Sequence, residues 1–227
     1  MTKTADPFRK SEENARQYDE FARTMSARVY PVIADQILER TGITTGTCLD
    51  VGSGPALLGI SLALLSELHV TALDHSPAMC AQAQRNIRNR CMEELVFPLI
   101  GDVHAIPAPD ATFRLVVSRG SYPSREDLPA AFLEIYRVLR PGGMAYLGGG
   151  YGNARLREEV YARRRLHDIP DNPAYSPKTR FCKFSVGEFE AAMEVTGIAD
   201  FRIIDDDSGF WILFRKNEGK NRADPAP

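Results

Sequence analysis

A few residues near the middle of the N-terminal half have the types and spacing to do chemistry together. Asp50, Gly52 and Gly54 alternate with single residues in Leu49-Asp50-Val51-Gly52-Ser53-Gly54-Pro55-Ala56, and the acids Asp74 and Asp102 end later apolar stretches. Glycines at 52 and 54 carry no Cβ and accept positive φ, so a ligand could come close to the backbone there. A helix opening near Pro55 would point its first N–H groups at the contents of that loop. Alone, such a loop is a weak motif, and its meaning depends on the elements around it.

Those elements alternate. Residues 28–40 read as a helix with Val29, Ile33 and Ile37 on one face, closed by Gly42. Residues 47–51 form a first strand, and the glycine loop leads into a helix reaching about residue 67. Residues 68–74 form a second strand, and Ser76-Pro77 opens a helix to about residue 93, with Ser76 as N-cap and proline at the first helical position. The third strand, 95–101, contains Pro98, which belongs at a sheet edge.

A fourth strand at 113–118 precedes a helix that Ser124 and Asp127 begin as a capping box, with Leu128, Phe132, Ile135 and Leu139 on one face. A fifth strand at 144–147 follows Arg140-Pro141-Gly142-Gly143. Then come a basic helix at 154–167, a proline-rich loop at 169–178 and a helix at 185–196 closed by Gly197. Strands at 201–205 and 210–215 flank turn residues 207–209, so they should pair as a hairpin. Repeated strand–helix alternation predicts a doubly wound α/β sheet.

Composition narrows the function. With 44% hydrophobic and 26% charged residues, an ordinary core is expected. The net charge of −2 argues against a general nucleic-acid binder. No apolar run reaches the ~20 residues that span a bilayer, and residues 1–10 lack the apolar core of a secretion signal, so a cytoplasmic location is expected. Cys48, Cys80, Cys91 and Cys182 form no C-x-x-C pair and read as buried or half-buried free thiols, with no metal site among them.

A dinucleotide loop, G-x-G-x-x-G, would need a third glycine where this chain has Leu57. The pattern is D-x-G-x-G-x-A, from Asp50 to Ala56. Together with Ala72-Leu73-Asp74-His75-Ser76-Pro77-Ala78-Met79, Gly101-Asp102-Val103 and Val138-Leu139-Arg140-Pro141-Gly142-Gly143, it resembles the class I S-adenosylmethionine-dependent methyltransferases. The likeness runs over residues 46–147 and is to small-molecule members of the methyltransferase-domain 11/25 type, the quinone C-methyltransferases among them. The chain departs at Ala56, where that family usually has glycine.

The resemblance implies a Rossmann-like seven-stranded sheet in the order 3-2-1-4-5-7-6 with strand 7 antiparallel. It also implies S-adenosylmethionine as cofactor and methyl transfer to a small-molecule acceptor by in-line displacement. Residues 1–217 would form one domain, with lid segments at 1–40 and 151–183 and a disordered tail at 218–227. Asp74 would accept both ribose hydroxyls, Asp102 would meet the adenine amino group and the Val103 N–H a ring nitrogen. Met79 would flank adenine, and Asp50 would hold the ammonium. Tyr18, in the lid, Ser53, His75 and Ser118 complete the expected cofactor set.

The acceptor side is less marked. Arg119, past the fourth strand, would face the transferred methyl and pair an anionic or aromatic acceptor, or else pair a nearby acid. His104 is the candidate general base, His75 a second histidine beside an acid, and either could merely bond locally. Gly148-Gly149-Gly150-Tyr151 lies on the same rim, as the floor or hinge of a pocket. Arg155, Arg157, Arg163, Arg164 and Arg165 read as a solvated face or as a rim steering an anionic substrate. A binding protein without transfer activity and a nicotinamide oxidoreductase are the competing functions.

Overall fold

The computed structural model describes residues 12–121, 128–166 and 185–218. Seven strands, β1 Thr45–Val51, β2 Glu67–Asp74, β3 Val96–Ile100, β4 Phe113–Arg119, β5 Leu139–Gly150, β6 Phe201–Asp206 and β7 Gly209–Arg215, form one sheet. Its order is β3-β2-β1-β4-β5-β7-β6, parallel through β5 and antiparallel at β7, as expected. Pro98 sits on the outer strand, where a missing donor costs least.

Among the described residues, seven helices accompany the sheet: α1 Glu12–Met25, α2 Val29–Thr41, α3 Leu57–Leu65, α4 Pro77–Asn89, α5 Leu128–Val138, α6 Ala154–Leu166 and α7 Val186–Thr196. Strand residues alternate between two apolar layers, as the period-two pleat requires. Cys48, Val70, Leu115 and Trp211 face a layer built with α2, α3, α4 and α6. Leu49, Leu73, Val116 and Ile212 face α5 and α7.

Local signals placed most helix ends. Ser76 Oγ accepts from Met79 N with Pro77 at the first helical position. Ser185 and Glu188 form a reciprocal capping box, and Gly42 and Gly197 end their helices at φ 67° and 70°. Other boundaries move. The helix after the glycine loop opens at Leu57 rather than Pro55, because Ala56 takes the left-handed conformation (φ 61°). That conformation costs an alanine ~1 kcal/mol, which burial of its methyl group offsets by a similar amount.

Helix α4 stops at Asn89, four residues early, where Cys91 at φ 54° turns the chain so that Met92 enters the core. Leu139 begins β5 instead of ending α5. The last turn of α5 is closed from far along the chain by Lys216, whose Nζ donates to Tyr136 O and Arg137 O at 2.8 and 3.0 Å.

Cys48 and Cys80 are buried free thiols, but Cys91 is exposed, contrary to expectation, because it lies on that turn. Cys182, Tyr122, the Ser124–Asp127 capping box, the 169–178 loop, residues 1–11 and all of the 218–227 tail beyond Glu218 lie outside the described residues. Among those described, no helix is long and apolar enough to cross a membrane.

Candidate functional site

The carboxyl ends of β1, β2, β3, β4 and β5 all open on one rim. At its centre, Asp50 ends in the glycine loop's foundation. Its Oδ2 accepts from Gly59 N at 3.1 Å, so this strand carboxylate caps α3, a task that Ala56 has no side chain to perform. Gly59 leaves room for this bond, since a Cβ there would stand 3.0 Å from Val70 Cγ1 and 3.4 Å from Asp50 Oδ2, a tight fit. Burial pushes Asp50 up to about 7; the Gly59 N–H opposes this, Asp74 adds to it and Arg119 opposes it.

The loop itself is held by Asp74. Its Oδ2 accepts from Gly54 N at 2.8 Å and its Oδ1 from Ser76 N at 2.9 Å. A carboxylate has about four acceptor positions, so two remain for a ligand's hydroxyls. Gly52 and Gly54 take φ 67° and 54°, and a Cβ at Gly52 would lie 2.6 Å from Ser121 Cβ. The ring of Tyr18, from α1, lies across the loop, with Cε1 3.7 Å from where a Gly54 Cβ would be. The protein packed around the Tyr18 hydroxyl raises its pKa; Arg119 opposes the shift, while Asp74 and Tyr151 add to it. Ser53 Oγ is buried with no hydrogen-bond partner among the described residues.

On the β3 side, Asp102 Oδ1 accepts from both the backbone N and Nδ1 of His104 at 2.8 Å. These bonds, the backbone one first, hold Asp102 below its ordinary pKa. An ionised carboxylate only accepts, so Nδ1 carries the proton. Val103 packs against the α5–α7 layer. Met79 is 3% exposed yet belongs to neither main apolar layer. His75 is exposed, with Nδ1 3.7 Å from Asp74 Oδ1.

On the β4 side, Ser118 Oγ donates to Val51 O at 2.8 Å and lies 2.5 Å from Ser121 Oγ, tying the ends of β4 and β1 together. Arg119 is held by a backbone carbonyl and by aromatic rings. Its Nε and Nη2 donate to Gly150 O at 3.2 and 3.0 Å, and its guanidinium lies 4.9 Å from the Tyr30 ring centre and 6.0 Å from that of Tyr151. Tyr30, a functional candidate that no sequence motif singled out, has its hydroxyl pKa raised, chiefly by burial.

The structure does not bring His104 and Arg119 together. Their strands are separated by β2 and β1, three inter-strand spacings or roughly 14 Å. Two of the triple glycines serve close packing. A Cβ at Gly148 would fall 2.2 Å from Phe210 O of β7, and one at Gly150 2.0 Å from Ser208 O in the turn before it, so these neighbours require Gly148 and Gly150. The basic helix is not simply a free rim. Arg155 pairs with Glu159, Arg163 donates to Thr24 O, and Arg164 is buried beside the Phe21 ring.

Comparison with known proteins agrees with this geometry. A methyltransferase-domain family matches residues 48–143. The chain is similar to a malonyl-[acyl-carrier protein] O-methyltransferase of Geobacter sulfurreducens, 30% identical over 195 residues, which are 85% of this chain and 70% of that one. It belongs to the class I S-adenosylmethionine-dependent methyltransferases. The chain spans 56% of a second relative described by the same words, from Halorhodospira halophila, to which it is 32% identical over 72% of its own length. A crystal structure of a proposed S-adenosyl-L-methionine-dependent methyltransferase from Methanococcus maripaludis superposes with a TM-score of 0.87 at 38% identity, covering 97% of this chain and 99% of that one.

The methyltransferase's residues fit its cofactor. Ser53 has a buried hydroxyl that no described residue partners, Asp74 retains acceptor capacity, and the two left-handed glycines leave the loop surface without side chains. S-adenosylmethionine supplies an electrophilic methyl group when bound; the chain's part is to bind, orient and shield it.

Asp50 predicts a pH dependence. Its folded pKa, about 7, exceeds the unfolded 3.8. The unfolded chain therefore loses this proton first, and the ligand-free protein should lose stability as pH rises from about 4 to 7. If Asp50 faces the cofactor ammonium, affinity for the cofactor should rise over the same interval as the acid ionises. Thermal melts and calorimetric titrations from pH 5.5 to 8 check both slopes. Asp50→Asn should flatten them; slopes that persist in that variant would assign them elsewhere.

Proposed function

We propose that the methyltransferase acts on a small acceptor bearing a carboxylate or similarly delocalised anion, bound where Arg119, Tyr30 and Tyr151 meet. The observation that carries this is the Arg119 guanidinium, held at the rim by the Gly150 carbonyl and stacked on Tyr30. An anionic acceptor needs no deprotonation, which suits a rim where the nearby phenols of Tyr18 and Tyr30 are held protonated and His104 stands on the far side. The relatives named for malonyl-[acyl-carrier protein] O-methylation support the carboxylate reading. A demethylmenaquinone methyltransferase of Chlorobaculum parvum, 34% identical over 99 residues covering 44% of this chain and 39% of that one, favours a flat conjugated acceptor as the second reading, which the tyrosine shelf would also accommodate.

In this reading Asp74 holds the ribose hydroxyls, and Asp102 and the Val103 N–H hold adenine beside Met79 and His75. Asp50 and Ser53 hold the amino-acid end over Gly52 and Gly54. Ser118 sets the β4 end that carries Arg119. Residues 1–217 act as one domain, with 1–40 and 151–183 as lids. Catalysis is by positioning for in-line displacement.

The test is a panel of acceptors, with dicarboxylic half-thioesters and free acids on one side and hydroquinones and phenols on the other. Formation of S-adenosylhomocysteine is followed together with alkali-labile methyl ester. Turnover confined to the phenolic and quinol compounds would overturn the carboxylate assignment.

A further inference from the structure

One buried amide joins three parts of the molecule that the cofactor reading treats separately. Asn86, on α4, is 4% exposed. Its Nδ2 donates to Asp19 Oδ1 of α1 at 2.6 Å and to Pro55 O of the glycine loop at 3.0 Å. Both of its amide hydrogens are thereby used. The bond to Pro55 O and the bond from Ala56 N to Ser53 O at 3.0 Å address the two ends of one peptide unit. They fix the orientation of that unit between Gly54 and the left-handed Ala56.

On the other side, Asp19 is 4% exposed, and its second oxygen accepts from Arg23 Nε at 2.8 Å. Apart from Asp19, the buried residues of α1 are Ala15 and Ala22, which bring little apolar area to the docking of the helix. The adjacent residue, Tyr18, is the one whose ring lies over Gly54.

We propose that Asn86 is a positioning residue that couples the seating of α1, and so of Tyr18, to the shape of the glycine loop. It acts as a latch that slows cofactor exchange. The inference rests on the glycine loop being the cofactor site. With α1 docked, the amide holds the loop's last peptide unit and the lid at once; with α1 displaced, Asp19 is lost and only the loop bond remains.

The experiment measures S-adenosylhomocysteine dissociation by stopped flow in the full chain, alongside tryptic cleavage within α1 at Arg16 and Arg23. Asn86→Ala should raise the off-rate at least tenfold and abolish ligand protection of α1. Asp19→Ala acts from the lid side and leaves the Pro55 bond intact, so it also tests the latch if the Asn86 variant fails to fold. It too should raise the off-rate, and the double variant should be no faster than Asn86→Ala. Off-rates within twofold of the parent, or fully additive effects, would overturn the latch, even with a lowered Tm. Failure of the parent protein to bind the ligand would instead overturn the cofactor reading.

Discussion

Asp74→Ala is expected to weaken S-adenosylmethionine binding by about 100-fold and to lower Tm by several degrees. The affinity loss follows from removing a charged acceptor for the ribose hydroxyls, about 1.5–3 kcal/mol per hydrogen bond, with 1.4 kcal/mol for each tenfold. The stability loss has a separate origin. Gly54 N and Ser76 N both donate to this carboxylate, so the substitution strips a partner from the glycine loop and from the first turn of α4 together. Asp74→Asn keeps the volume but turns an N–H₂ toward one of those donors, and should fall between the parent and the alanine variant in both measurements. Calorimetric titration with melting curves checks the pair. An unchanged affinity in a folded Asp74→Ala protein would refute the ribose role.

Arg119→Ala is expected to reduce kcat/KM for an anionic acceptor by about 100-fold, the scale of one charge-assisted bond lost from the transition state. At pH 8, cofactor affinity should stay within a few-fold of the parent. Near pH 6.5 the variant should bind the cofactor more weakly than the parent. Arg119 is one of the influences holding the Asp50 pKa down, and without it a larger fraction of Asp50 stays protonated. Arg119→Lys retains the charge but not the planar contact with Tyr30 or the two-nitrogen grip on Gly150 O. It should recover the pH behaviour more fully than the turnover. Turnover undiminished in Arg119→Ala would remove the arginine from the acceptor site and leave it as a strut between β4 and β5.

These expectations use two kinds of information. Asp74, Gly52 and Gly54 stand out in the sequence because each signal is short: a glycine alternation after one strand, and a strand end followed at once by an N-capping serine after the next. The task of Arg119 was not legible in that way. An arginine past a strand could have met an acid or a substrate, and only the placement of Gly150, 31 residues on, and of Tyr30 on α2 shows how its guanidinium is braced. His104 beside Asp102 looked equally suited to serve as a base. The strand order separates it from the β4 rim, because the chain winds outward from β1 through β2 to β3 and then crosses to the other side of β1 for β4.

The sequence by itself determined what depends on short reach: the alternation that buries both faces of the sheet, the caps at Ser76, Ser185, Gly42 and Gly197, the outer position of the Pro98 strand, and the glycine loop and three later stretches that together point to the cofactor. Tertiary structure alone decided the rest. Asn86 meets Asp19 across 67 residues, Lys216 closes α5 across 80, and Asp50, aimed into the sheet–helix layer, becomes a cap and an acid near neutrality. Backbone propensity and periodicity act over a few residues. A side-chain hydrogen bond or a burial-shifted pKa depends on which distant elements the folded sheet sets side by side.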